Sequence, residues 1–359
     1  MSWADADYEL MIADRFGSPI FPINDWVSIV GGPFRIVDSV SNLIVVAEGT
    51  HCNEYFERID PWKHELQLWA NGNIEWAGPV QRNTMTDDSS GQRITLSAQD
   101  LLGWLAVRIL GGEIKEEDIA TQFAEIITEA MLADDIGLAS NPQFISVSGK
   151  RRVTDLASAL SEIRELGRDG IDFTMHGRKL LLGNEEVPIR NLPPLNNSNF
   201  QSVSLTKDGS TMATQVIVSG GTDPETSQHY IGYYPEEPIP DPEYGLIQRR
   251  FHETSILDEQ SVKAAAFTRW QSLKPVPILT SGVLKHHVPL ELSDIVAGAQ
   301  VTFAGDEEAE ESASINQASG EYRVTNVELS ILREGNEEPS RLAVNLQPIG
   351  TVNGELAGV

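Results

Sequence analysis

PWKHELQLWANGNIEWAGPVQRNTMTDDSSGQRITLSAQDLLGWLAVRIL, residues 61–110, is the stretch on which the reading of the fold turns. Asn71-Gly72 within it is a strong hairpin signal, because a type I′ turn needs positive φ at both central positions. A two-residue loop fixes the register: Trp69 is expected opposite Ile74, and Gln67 opposite Trp76. That register places Trp69, Ile74 and Trp76 on one face of the ribbon and Leu66, Leu68 and Ala77 on the other. A ribbon apolar on parts of both faces belongs inside a sheet. After Gly78-Pro79 a further strand is expected over 81–85, then a polar loop from Asp87 to Gly91 and a strand over 93–96. Ser97 with Asp100 three residues on reads as a capping box. Leu101, Leu102, Leu105 and Ile109 supply the apolar stripe of a helix over 97–110, stopped by Gly111-Gly112.

Composition narrows the functional classes. The chain has 359 residues, 26 basic against 53 acidic, for a formal net charge of −27. A surface this electronegative repels phosphate, and nucleic-acid binders carry basic stripes; the densest basic run here is Lys150-Arg151-Arg152. The single cysteine, Cys52, excludes an internal disulfide and a thiolate metal set. No run reaches the roughly 20 apolar residues of a membrane span, and the N-terminal residues lack the pattern of a signal peptide. These features predict a soluble protein made in a cytoplasm, without a membrane span.

Outward from the hairpin, residues 8–48 read as β, with strands expected at 8–13, 19–23, 34–40 and 43–47. Composition shifts at Gly111. Ile119, Phe123, Ile126, Ile127, Ala130 and Met131 form one helical stripe, and Leu156, Leu160 and Ile163 a second over 154–166. A hairpin follows, with Ile171, Phe173 and Met175 alternating, a turn at His176-Gly177, and a return over 179–182. The proline- and asparagine-rich segment 188–199 reads as a linker. Strands are expected again at 202–205, 214–219, 278–285, 300–304, 322–333 and 341–346. A proline- and acid-rich exposed loop is expected over 222–244 and a helix over 258–273. No clean sequence repeat is visible.

The fold class read from this pattern is α+β, mainly β. Strand-rich segments of this length are solved as barrels or sandwiches.

Pro61–Trp69, Ile74–Val80 and Ala98–Leu105 together resemble the baseplate hub, or tail-tip minor tail, proteins of tailed bacteriophages. Gly170-Ile171-Asp172-Phe173 with 178–183, and 295–301, are weaker echoes; the Gly298-Ala299 position departs from the Gly-Asp more usual there. The resemblance implies two tail-tube-like β-barrels, each with a flanking helix (97–110 and 258–273), plus an inserted helix-containing domain. The boundaries it suggests are 1–110 with 200–222 for the first barrel, 111–199 for the insert and 223–359 for the second barrel. It further implies a homotrimer whose six barrels continue the hexameric tail tube. Its partners would be itself, the tail tube or distal tail protein and the tip or fibre proteins, with DNA only in transient passage, and its place the virion. Electrostatics fits this independently, since a channel that passes DNA without gripping it should not attract phosphate.

No catalytic, cofactor or metal site is expected. The acidic run Asp306, Glu307, Glu308, Glu310, Glu311 lacks the spacing and glycine of an EF-hand loop and reads as a solvated hairpin tip. Together with Asp87 and Asp88 it supplies the candidate acids of the lumen or surface loops. His286-His287 on a strand would point to opposite faces, unsuited to one metal. His64, Glu65, Asp87 and Asp88 lack any sign of the two-carboxylate cleft of a glycosidase. Serine elbows and phosphate loops are absent. Trp62, Trp69, Trp76 and Trp104, as a sugar platform, would mark a receptor- or carbohydrate-binding tail protein; their bracketing of a capped helix favours barrel core. The structural residues singled out are therefore Trp62, Trp69, Asn71, Gly72, Trp76, Gly78, Pro79 and Trp104. A tail-associated hydrolase is the third and weakest reading.

Overall fold

A computed structural model describes residues 2–89, 91–110, 115–131, 137–140, 148–151, 157–167, 171–184, 186–206, 212–222, 227–240, 242, 244–253, 256–273, 278–304, 318–333, 340–352 and 355–356. The first third is strands β1 (Tyr8–Asp14), β2 (Pro19–Pro22), β3 (Trp26–Ile36) and β4 (Asn42–Glu48), then helix α1 (Cys52–Arg58). Strands β5 (His64–Ala70), β6 (Asn73–Asp88) and β7 (Gly91–Gln99) follow, then the short helix α2 (Leu102–Val107). The middle holds α3 (Ile119–Met131), α4 (Ala159–Gly167) and the hairpin β8 (Asp172–His176) and β9 (Lys179–Gly183). Beyond it come β10 (Phe200–Thr206), β11 (Gln215–Thr222), β12 (His229–Tyr234), β13 (Gln248–His252) and α5 (Glu259–Ser272). The chain ends on β14 (Ile278–Leu284), β15 (Ala299–Ala304), β16 (Gly320–Leu332) and β17 (Arg341–Val352). Several strands of two to four residues accompany these.

The fold is mainly β and is built on one large sheet whose main path runs β10-β14-β17-β16-β3-β4-β7-β6-β5-β1-β2. That path contains a repeat that the residues themselves do not display. Strands β3, β4, β6 and β7 lie side by side as first, second, fourth, third; β10, β14, β16 and β17 lie in the same order. All neighbours within both units are antiparallel, and β5 flanks β6 as β15 flanks β16. The units join where β16 pairs with β3, Ser330 opposite Val30 and Ile331 opposite Ile29.

Alternation explains how this sheet builds its core. On β4, Leu43, Val45 and Ala47 are fully buried, whereas Ile44 is 41% exposed. Inward residues of both units merge into one apolar cluster, from Ile29, Leu66 and Leu96 to Leu279, Val327 and Leu342. The opposite face mixes serine, threonine, asparagine and aliphatic side chains with arginines. The row Arg341, Ser330, Val30, Ile44, Ser97, Arg82 crosses five strand junctions, and Ser204, Ser281 and Asn345 extend the face onto β10, β14 and β17.

Two smaller modules hang on this sheet. Helices α2, α3 and α4 close over the β8–β9 hairpin, with Leu102, Phe123, Ile126, Ile163 and Phe173 fully buried. The other is a three-stranded sheet, β12-β11-β13, covered by α5 through Val216, Val218, Val262 and Ala266. Asp258 caps α5, accepting from the Ser261 amide at 2.8 Å.

Several expectations are corrected. Segment 200–222 does not join the first unit: 200–206 pairs with β14, and 215–222 is the middle of the three-stranded sheet. Neither expected flanking helix packs as a barrel helix, because α2 belongs to the middle module's core and α5 to the three-stranded sheet. The helix foreseen over 97–110 is shorter. Ser97 remains in β7 and Leu101 stands at the start of α2, with Asp100 just before it accepting from the Leu102 amide through Oδ1 at 3.0 Å. Helix α1 and the first half of β3 were not foreseen, and the loop over 222–244 contains β12. Gly78-Pro79 does not break the chain, since β6 runs through it, pairing with β5 before it and β7 after it.

Candidate functional site

The central hairpin forms as the turn chemistry requires: Asn71 has φ 50° and Gly72 φ 78°. Trp69 lies opposite Ile74, but Trp76 lies opposite Leu68, not Gln67. Glu75 is the extra residue of a β-bulge, which shifts every later position of β6 by one. Trp76 therefore shares a face with Leu68, and Trp69 lies on the other. Trp76 is 2% exposed in the main core and donates to Ser41 Oγ at 3.0 Å. Trp69 is half-buried, its Nε1 donating to Gln67 at 3.1 Å.

The bulge has a physical cause. It turns the Glu75 side chain inward, where it is 3% exposed and its Oε2 accepts from Arg35 Nη2 at 2.7 Å. The Arg35 side chain is wholly buried. Its Nη1 donates to the Leu292 and Ile295 carbonyls, both at 2.6 Å, and Nη2 also reaches the Glu75 carbonyl at 3.0 Å. His176 of the middle module brings Nε2 within 3.1 Å of the same Glu75 oxygen. One carboxylate thus ties the first unit, the loop before β15 and the middle module together. Burial alone would raise the Glu75 carboxyl; the His176 hydrogen bond and the Arg35 charge outweigh it and hold it below its ordinary value. Burial, reinforced by Arg35, lowers the His176 imidazole.

Two further ion pairs line the same seam. Arg323 Nη1 contacts both oxygens of Asp172 at 2.7 Å, joining β16 to β8, and Arg178 pairs with the fully buried Glu65. Backbone contacts add to this, with Asp38 N–H donating to the Phe173 carbonyl at 2.9 Å and Phe173 N–H to Asp38 Oδ1 at 3.0 Å. The middle module is held at a fixed place on the sheet by charge-assisted hydrogen bonds, roughly twice as strong as neutral ones.

Other singled-out residues fall at separate places. Trp62 and Trp104 meet edge to face, centroids 5.1 Å apart, in the middle module's core rather than in the main one. A Cβ on Gly78 would lie 1.7 Å from the Gln99 carbonyl oxygen, so only glycine allows β6 to cross β7 there. Pro79 is buried beside it. Asp87 and Asp88 are exposed, Asp87 accepting from Gln92 at 3.2 Å. Asp306, Glu307 and Glu308 lie outside the described residues. His286 Nε2 donates to the Ser340 carbonyl at 2.7 Å, and His64 Nδ1 accepts from the Asp60 amide at 2.9 Å. Among the described residues, no group of three His, Cys, Asp or Glu is placed to hold a metal, and no helix is long and apolar enough to cross a membrane.

Sequence reading missed Arg35, Glu75, His176, Asp172 and Arg323. A glutamate between Ile74 and Trp76 in an otherwise apolar strand was the available signal.

No family model and no curated protein matches the chain. Solved structures do. The tail protein from Neisseria meningitidis MC58 superposes with a TM-score of 0.62 at 12% identity, over 96% of this chain and 98% of that one. The 43 kDa tail protein of prophage MuSo2 from Shewanella oneidensis gives 0.61 at 12% identity, over 95% and 98%. An E. coli type VI secretion component, itself similar to the T4 tail proteins gp27 and gp5, gives 0.50 at 10% identity, over 93% and 75%. At such identities the likeness is one of architecture: this chain has the fold of these phage tail and type VI secretion proteins.

Proposed function

We propose that this chain is a structural tail protein of a phage-type particle: a hub or tail-tip subunit that joins the tail tube to the tip machinery. Three copies would surround a channel for DNA, which touches the protein only in passage. The observation that carries the reading is the repeated strand order, since a chain with two like units can match two subunits of a sixfold tube.

The edges support a ring. Within one chain, β16 of the second unit pairs with β3 of the first. The equivalent strands left at the ends are β6, whose 82–88 portion pairs among the described residues only with β7, and β10, which pairs among them only with β14. Placing β6 of one copy beside β10 of the next repeats the internal junction. The shared outer face, whose Ser, Thr, Asn and aliphatic residues are interrupted by Arg82 and Arg341, would then line the channel. The reading needs no catalytic group, metal or cofactor, and places the protein in the virion.

Cysteine cross-linking tests it. Cys52 is buried, so Thr84→Cys combined with Ser204→Cys should give oxidation-dependent covalent trimers on a denaturing gel, and neither single variant should. Dimers alone, or no cross-linked species in assembled particles, would count against the ring.

A further inference from the structure

The three-stranded sheet has one face turned away from α5. Val216, Val218 and Phe251 point to the helix, so Ile217, Ile231, Tyr233, Gln248, Arg250 and His252 stand on the opposite face, where Tyr233, Ile217 and Arg250 form one row across the strands. Ile231 is 39% and Tyr233 41% exposed, and Arg250 forms no ion pair among the described residues. No carboxylate stands on this face of the three strands, although the chain carries 53 acidic residues. Tyrosine and arginine beside exposed aliphatic side chains, without acids, is the composition of the central part of a protein–protein contact. We propose that this face docks on helix α1 of the adjacent copy of the chain. The contact rests on the ring reading of the free β6 and β10 edges.

The sheet register sets the two surfaces at one level. Strand β6 shifts register against β7 between Val80 and Arg82, and β16 against β17 between Val324 and Asn326, so Arg82 and Asn326 are equivalent positions. At the internal junction Asn326 lies opposite Ile36, the last residue of β3. The same pairing between copies puts Thr206, the last residue of β10, opposite Arg82. The three-stranded module begins just beyond, with β11 starting at Gln215. In the adjacent copy α1 reaches this level, because Asn83 donates through Nδ2 to the Phe56 and Ile59 carbonyls at 3.1 and 3.0 Å.

The surfaces also match in kind. Phe56 is 45% exposed and offers an apolar partner to Ile231 and Tyr233. Arg58 is held by Glu54, which leaves Glu57 exposed and without an ion pair among the described residues. Glu57 supplies the carboxylate that Arg250 lacks in its own copy. The two surfaces are unlike, as a contact repeated by a threefold rotation requires. A nucleic acid would find one arginine on this face where it needs a stripe of cations.

Charge reversal in the full chain tests the contact. In the Thr84→Cys/Ser204→Cys background, Arg250→Glu should slow oxidative formation of covalent trimers about tenfold, and Glu57→Arg likewise, because like charges would then meet. Both residues are exposed, so neither change disturbs a core. The two reversals in one chain restore the opposite pairing and should return the rate to within about twofold of the parent. Phe56→Cys with Tyr233→Cys, without the edge cysteines, should also give covalent trimers. Parental rates in both single reversals, a double reversal as slow as the singles, or no Phe56–Tyr233 product where edge trimers form would each overturn the contact and leave the ring standing. Absence of the Thr84–Ser204 trimer would remove the ring and the contact with it.

Discussion

Arg35 Nη2 and Glu75 Oε2 lie 2.7 Å apart in the interior, on strands from different parts of the sheet, with side-chain exposures of 0% and 3%. Removing one partner of such a pair leaves a buried charge without compensation. Glu75→Ala should cost roughly 3–5 kcal/mol, whereas replacing both residues together by Met and Leu should cost markedly less. Urea midpoints of the two singles and the double measure this; a loss in the double equal to the sum of the two single losses would mean the pair is not coupled.

Gly78 and Gly72 constrain the same hairpin in different ways. Gly72 has φ +78° and open space around it, so Gly72→Ala carries only the left-handed backbone penalty of about 1–2 kcal/mol. Gly78→Ala would drive a methyl group into the Gln99 backbone and should cost about 3 kcal/mol or more. Melting temperatures should rank accordingly; the reverse order would contradict the close crossing of β6 and β7.

Asp100 should make stability fall as pH rises. Burial pushes its carboxyl from an ordinary 3.8 up to about 7, against the Ser41 and Leu102 hydrogen bonds that favour the charged form. The folded state thus holds the proton more tightly than the unfolded chain does. This contribution, on the order of 4 kcal/mol, is fully present below pH 3.8 and is lost as pH rises through about 7. Asp100→Asn should flatten that slope to the smaller one contributed by Asp38, which burial raises to about 6, and denaturant titrations at pH 5 and pH 8 would show it. A slope unchanged in the variant would assign it to another group.

The Asp172–Arg323 pair should govern how firmly the middle module sits. Asp172→Asn weakens a bidentate contact to β16 and should cost roughly 2 kcal/mol. Limited proteolysis should then cut between residues 111 and 170 faster, with the main sheet left intact. An unchanged cleavage rate would show that the Glu75 and Glu65 contacts hold the module without it.

What was legible in the sequence was local. Asn71-Gly72 announced its turn, the stripe from Phe123 to Ala130 announced α3, and Phe173 and Met175 announced the second hairpin, because each signal lies within one element. The bulge at Glu75 was not legible, since its cause is Arg35, forty residues away on another strand. The β16–β3 junction joins residues some three hundred positions apart and leaves no local mark. The repeat was hidden for a different reason: it is carried by strand order, which alternating apolar residues of any identity can satisfy. Trp62 and Trp104 misled, because aromatic clustering indicates a core without saying which one.

One connection sets the two units apart most. Between β3 and β4 the chain turns in a few residues, whereas between the equivalent β10 and β14 it leaves the sheet and returns through the three-stranded module with α5. In the proposed ring, bare and decorated units would alternate. The assembly would count six along its bore and three around its rim, a gear reduction written into a single polypeptide, able to mate with a sixfold tube on one side and threefold spikes or fibres on the other.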